Sequence, residues 1–233
     1  MNVKVLLYVF LGIFGYQSLA AQTAADTIVL KCDIRFGEKP LALHQHYVSR
    51  NDTLQFTMLK FYLSALEFTF ADGTIFKEKD SYHLIDIENS QSLQIVVPSK
   101  DNSPISTIRF AVGVDGGANE SGANGGDLDL QNGMYWAWQS GYINFKMEGK
   151  SNSCKTRNSE FQFHIGGYQQ PFNAFRTIEL PALTSKDPSK IDLIINLAKL
   201  FDNIALAKIN SVMVPGKNAM AIADMFKEVF SIE

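Results

Sequence analysis

Basic clusters and long apolar runs are both scarce in this chain of 233 residues. Lysine and arginine number 21 against 24 aspartates and glutamates, so the formal net charge is −3, and no dense basic segment occurs. Proteins that bind nucleic acid need such a segment to meet the phosphates, so we expect no nucleic-acid partner. After residue 20, no apolar run reaches the roughly 20 residues that a membrane-spanning helix requires.

Cysteine is also scarce, with only 2 residues in the chain. Two cysteines can form at most one disulfide bond, which is too few to stabilise a fold of this length, so the chain is not a disulfide-scaffold protein. Cys32 lies on the apolar side of an alternating segment, whereas Cys154 lies in a polar segment. The sequence leaves two alternatives open: a disulfide between them, or one buried and one exposed thiol.

The first twenty residues differ in character from the rest. Lys4 precedes an almost continuously apolar stretch, and small residues stand at positions 18 and 20, before Ala21. A secretory signal peptide typically has a positively charged start, a short apolar stretch and small residues before the cleavage site. The apolar stretch here is too short for a membrane anchor. We predict a signal peptide at residues 1–20, a single domain at residues 21–233, and a periplasmic or secreted mature protein.

Apolar residues alternate with polar ones along much of the remaining chain, which indicates strands with one buried face. In residues 61–70 the alternation changes phase, which predicts a β-bulge near Ser64 and Ala65, or a strand that ends and restarts. The spacing of apolar residues after Pro215 instead predicts one amphipathic helix over residues 219–230. The predicted fold class is all-β: a two-sheet antiparallel β-sandwich with one C-terminal amphipathic helix. The alternating segments lie at residues 28–36, 108–114, 143–147, 161–165 and 191–197.

A segment rich in glycine and in side-chain oxygens lies at residues 113–133. Loops of this length inside a compact domain are usually functional or mobile. Side-chain oxygens can also wrap calcium, although the spacing here does not match the twelve-residue calcium loop of a helix-loop-helix site. We expect a flexible loop, with calcium binding as the alternative.

Both tryptophans of the chain follow this segment, in the run Gly-Met-Tyr-Trp-Ala-Trp-Gln-Ser-Gly-Tyr that starts at residue 133. At a spacing of two, Trp136 and Trp138 would face the same side of a strand. One interpretation is a buried aromatic anchor of the core. The other is a redox-active or cofactor-facing motif, to which Tyr135 and Tyr142 also belong.

The tryptophan run resembles the MbnP-like family of exported copper-binding proteins, which is associated with methanobactin and copper handling. The resemblance extends to residues 82–86, 110–115 and 161–167. It implies that copper is held by histidines together with a tryptophan that a dihaem cytochrome-type partner enzyme oxidises to kynurenine. It does not assign the modified position to either Trp136 or Trp138.

Histidine supplies the candidate ligands, because copper favours imidazole among the side chains available near neutral pH. His44 and His46 are the best local pair, since residues two apart on a strand project from one face about 7 Å apart; the alternative is a solvated pair that binds nothing. His164 is the histidine of the resembling Phe-x-Phe-His-x-Gly-Gly segment, where it could be a ligand or a structural hydrogen-bonding residue. His83 is the weakest candidate.

Motifs for nucleophilic hydrolysis, zinc proteolysis, phosphate binding and dinucleotide binding do not occur in the sequence. We therefore expect a non-catalytic exported protein, and the resemblance and the histidines imply that it captures or handles copper. The alternative is a secreted β-sandwich that binds a glycan or a protein partner through the aromatic run and the long loop, or calcium through that loop, without copper.

Overall fold

The computed structural model describes residues 27–50, 52–99, 103–122, 124–138, 141–182 and 189–233. The predicted signal peptide at residues 1–20 lies outside these ranges. Within them, no helix is both long enough and apolar enough to cross a membrane. The strands are β1 (Thr27–Phe36), β2 (Lys39–Pro40), β3 (His46–Ser49), β4 (Asp52–Phe70), β5 (Ile75–Lys77), β6 (Tyr82–Asp86), β7 (Gln94–Pro98), β8 (Ile105–Val112), β9 (Tyr135–Trp136), β10 (Gly141–Ser151), β11 (Glu160–Gly166), β12 (Arg176–Pro181), β13 (Lys190–Asn196), β14 (Ser211–Val212) and β15 (Phe230–Ile232). The helices are α1 (Gly116–Glu120), α2 (Ala198–Phe201), α3 (Lys217–Asp224) and α4 (Phe226–Val229).

The strands form two sheets, as the alternating pattern predicts. The smaller sheet has five strands and centres on β1, which pairs with β2, β7 and β13. The larger sheet has ten strands and is organised along β4, which pairs with β3, β5, β6, β8 and β10. Most pairings are antiparallel, but β1 with β13 and β11 with β14 are parallel.

Alternating apolar residues from both sheets build one main core. In β1, every second side chain from Ile28 to Phe36 is buried, and the residues between them are more exposed. Phe36 meets Phe56 of β4, with ring centroids 5.8 Å apart, so the two sheets pack face to face. The core cluster includes residues from Ile28 to Phe230, so it draws on strands from one end of the described chain to the other.

The change of phase in residues 61–70 is a β-bulge, which is one of the two alternatives that the pattern leaves open. Strand β4 continues without interruption, and its pairing with β8 shifts register between Ser64 and Glu67. Ala65 adopts the left-handed conformation with φ of 51°, which accommodates the extra residue. The Ser64 hydroxyl donates to the Gly113 carbonyl at 2.7 Å, so the bulge is joined to the start of the glycine-rich segment.

The C-terminal apolar face is buried as predicted, but the chain that carries it changes conformation twice. Helix α3 ends at Asp224, the short helix α4 follows, and Phe230 is extended and begins β15. Strand β15 pairs with β13, so hydrogen bonds of the smaller sheet replace the last helical turn. Phe230 reaches the main core from this strand, with its ring centroid 5.4 Å from that of Phe110.

Both cysteines are free and buried. The structure therefore contains neither of the two predicted arrangements, because Cys154 packs into the main core cluster although the sequence around it is polar. Burial raises the pKa of the Cys32 thiol to about 12 and also raises that of Cys154.

These thiols are expected to react very slowly in the native protein. The thiolate is the reactive form, and burial disfavours it at both positions. A chromogenic disulfide reagent should label neither cysteine at the rate of a free thiol at pH 8, and should label both once denaturant is added without reductant. A denatured chain in which no thiol reacts would show that the two cysteines are bridged.

Candidate functional site

A second hydrophobic cluster lies on the face of the larger sheet that is turned away from the main core; we call this the outer face. Successive residues of a strand point to opposite sides, and Phe61 and Leu63 of β4 belong to the main core, whereas Tyr62 between them does not. The second cluster therefore covers the outer face. Its buried members are Tyr62, Val114, Leu128, Met134, Trp136, Tyr142 and Ile143.

The glycine-rich segment covers this face with short helical turns, which its own carboxylates stabilise. Asp115 caps α1 by accepting from the Ala118 amide at 3.1 Å. The Asp127 carboxylate accepts from the backbone amide of Leu84 in β6 at 2.8 Å. Because these oxygens are engaged within the fold, the calcium alternative gains no support from their geometry. Among the residues described, no group of three or more His, Cys, Asp or Glu is placed to hold a metal ion.

Two tyrosines of the larger sheet bind the glycine-rich segment through hydrogen bonds to its backbone. The Tyr142 hydroxyl donates to the Leu128 carbonyl at 2.9 Å, and the Tyr62 hydroxyl donates to the Asp127 carbonyl at 2.9 Å. Their rings pack edge to face with centroids 6.0 Å apart, and Tyr135 packs on Tyr142 with centroids 5.0 Å apart. Burial raises the pKa of the Tyr62 hydroxyl, so it remains a protonated donor. Tyr62 and Tyr142 therefore order the segment, and Tyr135 supports Tyr142 through its ring contact.

The two tryptophans have different environments. Trp136 ends the two-residue strand β9 and is 6% exposed, whereas Trp138 lies in the following turn and is 65% exposed. Their ring centroids are 6.0 Å apart and the planes are tilted by 48°. Trp136 lies directly on Gly166 of β11, where an added Cβ would stand 2.8 Å from the indole Cζ3 atom. The predicted aromatic anchor is therefore Trp136, and Trp138 presents its ring to solvent.

His164 lies on the same outer face, two residues before Gly166 in β11, and is 7% exposed. Positions two apart on a strand are about 7 Å apart, so His164 and Trp136 share one region of this face. The His164 Nε2 atom is 2.7 Å from Glu148 Oε1 on β10. Burial lowers the pKa of His164, and nearby Lys146 contributes in the same direction, so the neutral imidazole is favoured.

Charged residues of both signs surround His164. Lys146 is its direct partner across β10 and β11 and donates to the Gly133 carbonyl at 3.1 Å. Lys60, the next residue across the sheet, pairs with Asp86 at 2.9 Å. Each lysine thus has a fixed acceptor, and Glu148 remains the carboxylate that contacts the histidine.

His44 and His46 lie elsewhere on the sheet and are exposed. His46 is the first residue of β3, but His44 lies in the preceding turn with φ of 64°, so the two do not share the strand geometry that their spacing suggests. The His44 backbone is nevertheless fixed, because its amide donates to the Phe56 carbonyl at 2.8 Å and its carbonyl accepts from Gln55.

The distance between this pair and His164 follows from the register of the strands. His46 pairs with Gln55, and Gln55 pairs with Lys150, which is four residues along β10 from the partner of His164. With strands about 4.8 Å apart and residues about 3.4 Å apart, His46 is about 20 Å from His164. One metal ion, with bonds to nitrogen of about 2 Å, cannot bind both. The predicted ligands therefore form two separate candidate sites.

His83 is bound within the fold and is not near either of these sites in the sheet. Its Nε2 atom is 2.7 Å from Glu78 Oε2, and the Ser81 hydroxyl donates to the same oxygen at 2.5 Å. These contacts order the turn between β5 and β6. His83 is therefore a suitable control histidine for metal-binding experiments.

A cleft beside Trp136 was not predicted from the sequence. It has a volume of about 110 Å³ and is bounded mainly by the segment after β11. Gly167, with φ of 112°, allows this segment to fold back, since an added Cβ would be 2.4 Å from the Phe172 carbonyl oxygen. The run Gly-Gly-Tyr-Gln-Gln-Pro-Phe is the sequence feature that could have indicated this cleft. The lining residues are Trp136, Gly141, Gly167, Tyr168, Gln169, Gln170, Phe172 and Pro215.

Comparison with known proteins gives one family and one similar structure. The MbnP family model matches residues 25–214 of the chain. Among solved structures, MbnP from Methylosinus trichosporium is similar, with a TM-score of 0.57 and 14% sequence identity, over 84% of this chain and 83% of that chain. At this identity the likeness shows a shared fold alone. No curated protein matches the sequence.

Proposed function

The chain belongs to the MbnP family, and from this premise we propose that it is an exported, non-catalytic protein that binds copper and takes part in copper capture or handling. The proposed location is the periplasm or the extracellular space, reached through the signal peptide at residues 1–20. Copper is the cargo of the protein in this proposal.

The observation that carries the proposal is the environment of His164. Metal-binding histidines commonly donate one ring N–H to a carboxylate, which fixes the tautomer and the orientation of the ring. Glu148 is placed to do this at Nε2, and Nδ1 then carries the lone pair that can bind a metal ion. The lowered pKa of His164 favours this neutral form near pH 7.

Trp136 and Trp138 supply the second element of the proposal. Trp136 packs on Gly166, which lies two positions along β11 from His164, and Trp138 is next to Trp136 and open to solvent. An exposed indole is accessible to a docking protein, which is consistent with a dihaem cytochrome-type enzyme as partner. We propose that this region of the outer face is where such an enzyme meets the chain.

His44 and His46 form a separate and weaker surface site in this proposal. Both are exposed, and no carboxylate of the described residues holds either ring in place through a hydrogen bond. A ligand that must first be ordered costs conformational entropy, so binding there should be weaker than at an oriented histidine.

Copper titration of four variants tests the assignment. The mature metal-free protein is titrated with Cu(I) and, separately, with Cu(II), each in competition with a chromogenic chelator, and folding of each variant is checked by circular dichroism. We expect Glu148→Gln to weaken copper binding by about 10- to 100-fold and His164→Asn by at least as much. The double variant His44→Asn with His46→Asn should lose only weak binding, and His83→Asn should match the unchanged protein.

Two results would contradict the assignment. If His164→Asn bound copper as tightly as the unchanged protein while the double variant did not, the site would lie at His44 and His46. If the unchanged protein bound neither Cu(I) nor Cu(II), the proposed function would be wrong for this chain.

A further inference from the structure

The cleft beside Trp136 is lined by aromatic rings, a proline and two amides, and none of its described lining residues carries a charge. Two other exposed apolar side chains lie at or next to it along the chain, Val214 at 52% and Phe172 at 37% exposure. Small-molecule sites typically combine such apolar walls with a few polar groups that fix orientation. The absence of charge in the lining favours a neutral ligand.

Trp136 contributes its indole ring to the wall of this cleft and is 6% exposed. Buried tryptophans usually pair their indole N–H with an acceptor. Among the described residues, the Trp136 Nε1–H has no such acceptor.

The remaining polar groups of the cleft both donate and accept hydrogen bonds. Gln169 donates to the Tyr168 hydroxyl at 3.2 Å, which leaves its amide oxygen available. Gln170 adds a second amide to the lining. Hydroxyl groups are matched to such a set, since each hydroxyl can donate one hydrogen bond and accept others.

We propose that this cleft binds one ring of a neutral oligosaccharide and that Trp138 stacks against a neighbouring ring. The negative face of an aromatic ring attracts the polarised C–H groups on one side of a sugar ring. The exposed indole of Trp138, with its centroid 6.0 Å from that of Trp136, provides such a face next to the cleft. This activity is separate from the proposed binding of copper.

A proline-rich peptide is the competing occupant, because such peptides also bind grooves lined by aromatic residues. Proline has no backbone N–H. A proline-rich segment therefore offers only acceptors to the amides of Gln169 and Gln170, whereas sugar hydroxyls both donate and accept. The mixed donor and acceptor set thus favours the carbohydrate.

Intrinsic fluorescence tests the proposal directly, because the 2 tryptophans of the chain are both at this site. The metal-free mature protein is titrated with cellohexaose, maltohexaose, chitohexaose and a ten-residue polyproline peptide, with calorimetry on the same samples. We expect at least one hexasaccharide to give saturable binding, which Trp138→Ala and Gln169→Ala each weaken by about tenfold. Both residues are exposed, so neither change should unfold the protein. Val48→Ala, at a side chain that is 73% exposed on β3, is the control and should bind normally.

The proposal is overturned if none of the hexasaccharides binds at millimolar concentration, or if the polyproline peptide alone binds. It is also overturned if a hexasaccharide binds equally well to Trp138→Ala, because the site would then lie elsewhere. Since no metal is present in this experiment, its result does not depend on the outcome of the copper titrations.

Discussion

Phe145→Ala is expected to lower the free energy of unfolding by about 3–5 kcal/mol, the largest effect that we predict for a single substitution. Phe145 is completely buried in β10. Its ring stacks on Phe61 of β4 with centroids 5.2 Å apart and contacts Phe226 of α4 with centroids 4.9 Å apart. Truncation would leave a cavity at the point where the larger sheet meets the C-terminal helices.

Urea unfolding followed by far-ultraviolet circular dichroism measures this effect. Val48→Ala serves as the control, because that side chain is 73% exposed and its truncation should change the free energy by less than about 0.5 kcal/mol. A loss below about 1 kcal/mol for Phe145→Ala would contradict the packing described for the main core.

Gly166→Ala is expected to displace Trp136 and to destabilise the protein by about 1–3 kcal/mol. The added Cβ would stand 2.6 Å from the Tyr142 carbonyl oxygen and 2.8 Å from the Trp136 Cζ3 atom. The backbone oxygen cannot move without disturbing β10, so the indole must leave its position on β11. We expect a changed tryptophan fluorescence spectrum and, because His164 lies two residues away, weaker copper binding.

Gly125→Ala is the matched control for this substitution. Gly125 has φ of −99°, and no atom lies within 4 Å of its added Cβ, so alanine fits without strain. Its fluorescence, copper binding and free energy of unfolding should equal those of the unchanged protein. If Gly166→Ala behaved in the same way, the close contact between Trp136 and β11 would be incorrect.

The elements that could be predicted from the sequence are those that depend on local patterns. The alternation over residues 28–36 predicts both the strand β1 and its buried face, and the change of phase near Ala65 predicts a bulge or a restarted strand, of which the structure has the bulge. Period-two alternation reports on one strand at a time. It does not report strand order, which is why the parallel pairing of β1 with β13 was not foreseen.

The arrangement of the candidate site depends on strand order and was therefore predicted only in part. The histidines could be identified, but the separation of His46 from His164 arises because β4 and β10 lie between their strands. Trp136 and Trp138 were expected to face the same side of one strand. Strand β9 ends at Trp136, however, and Trp138 lies in the following turn, where its side chain is exposed. The Glu148 partner of His164 is a cross-strand neighbour that lies 16 residues away in the chain, so no local motif reveals it.

The central claim is that the chain binds copper through His164. The most direct measurement is the copper content of the mature protein and of His164→Asn after incubation with Cu(I) and with Cu(II), combined with X-ray absorption spectroscopy. We predict about one firmly bound copper ion per chain, with nitrogen among its ligands, and its loss in the variant. Protein that stays free of copper, or a variant that retains the ion with the same spectrum, would contradict the claim.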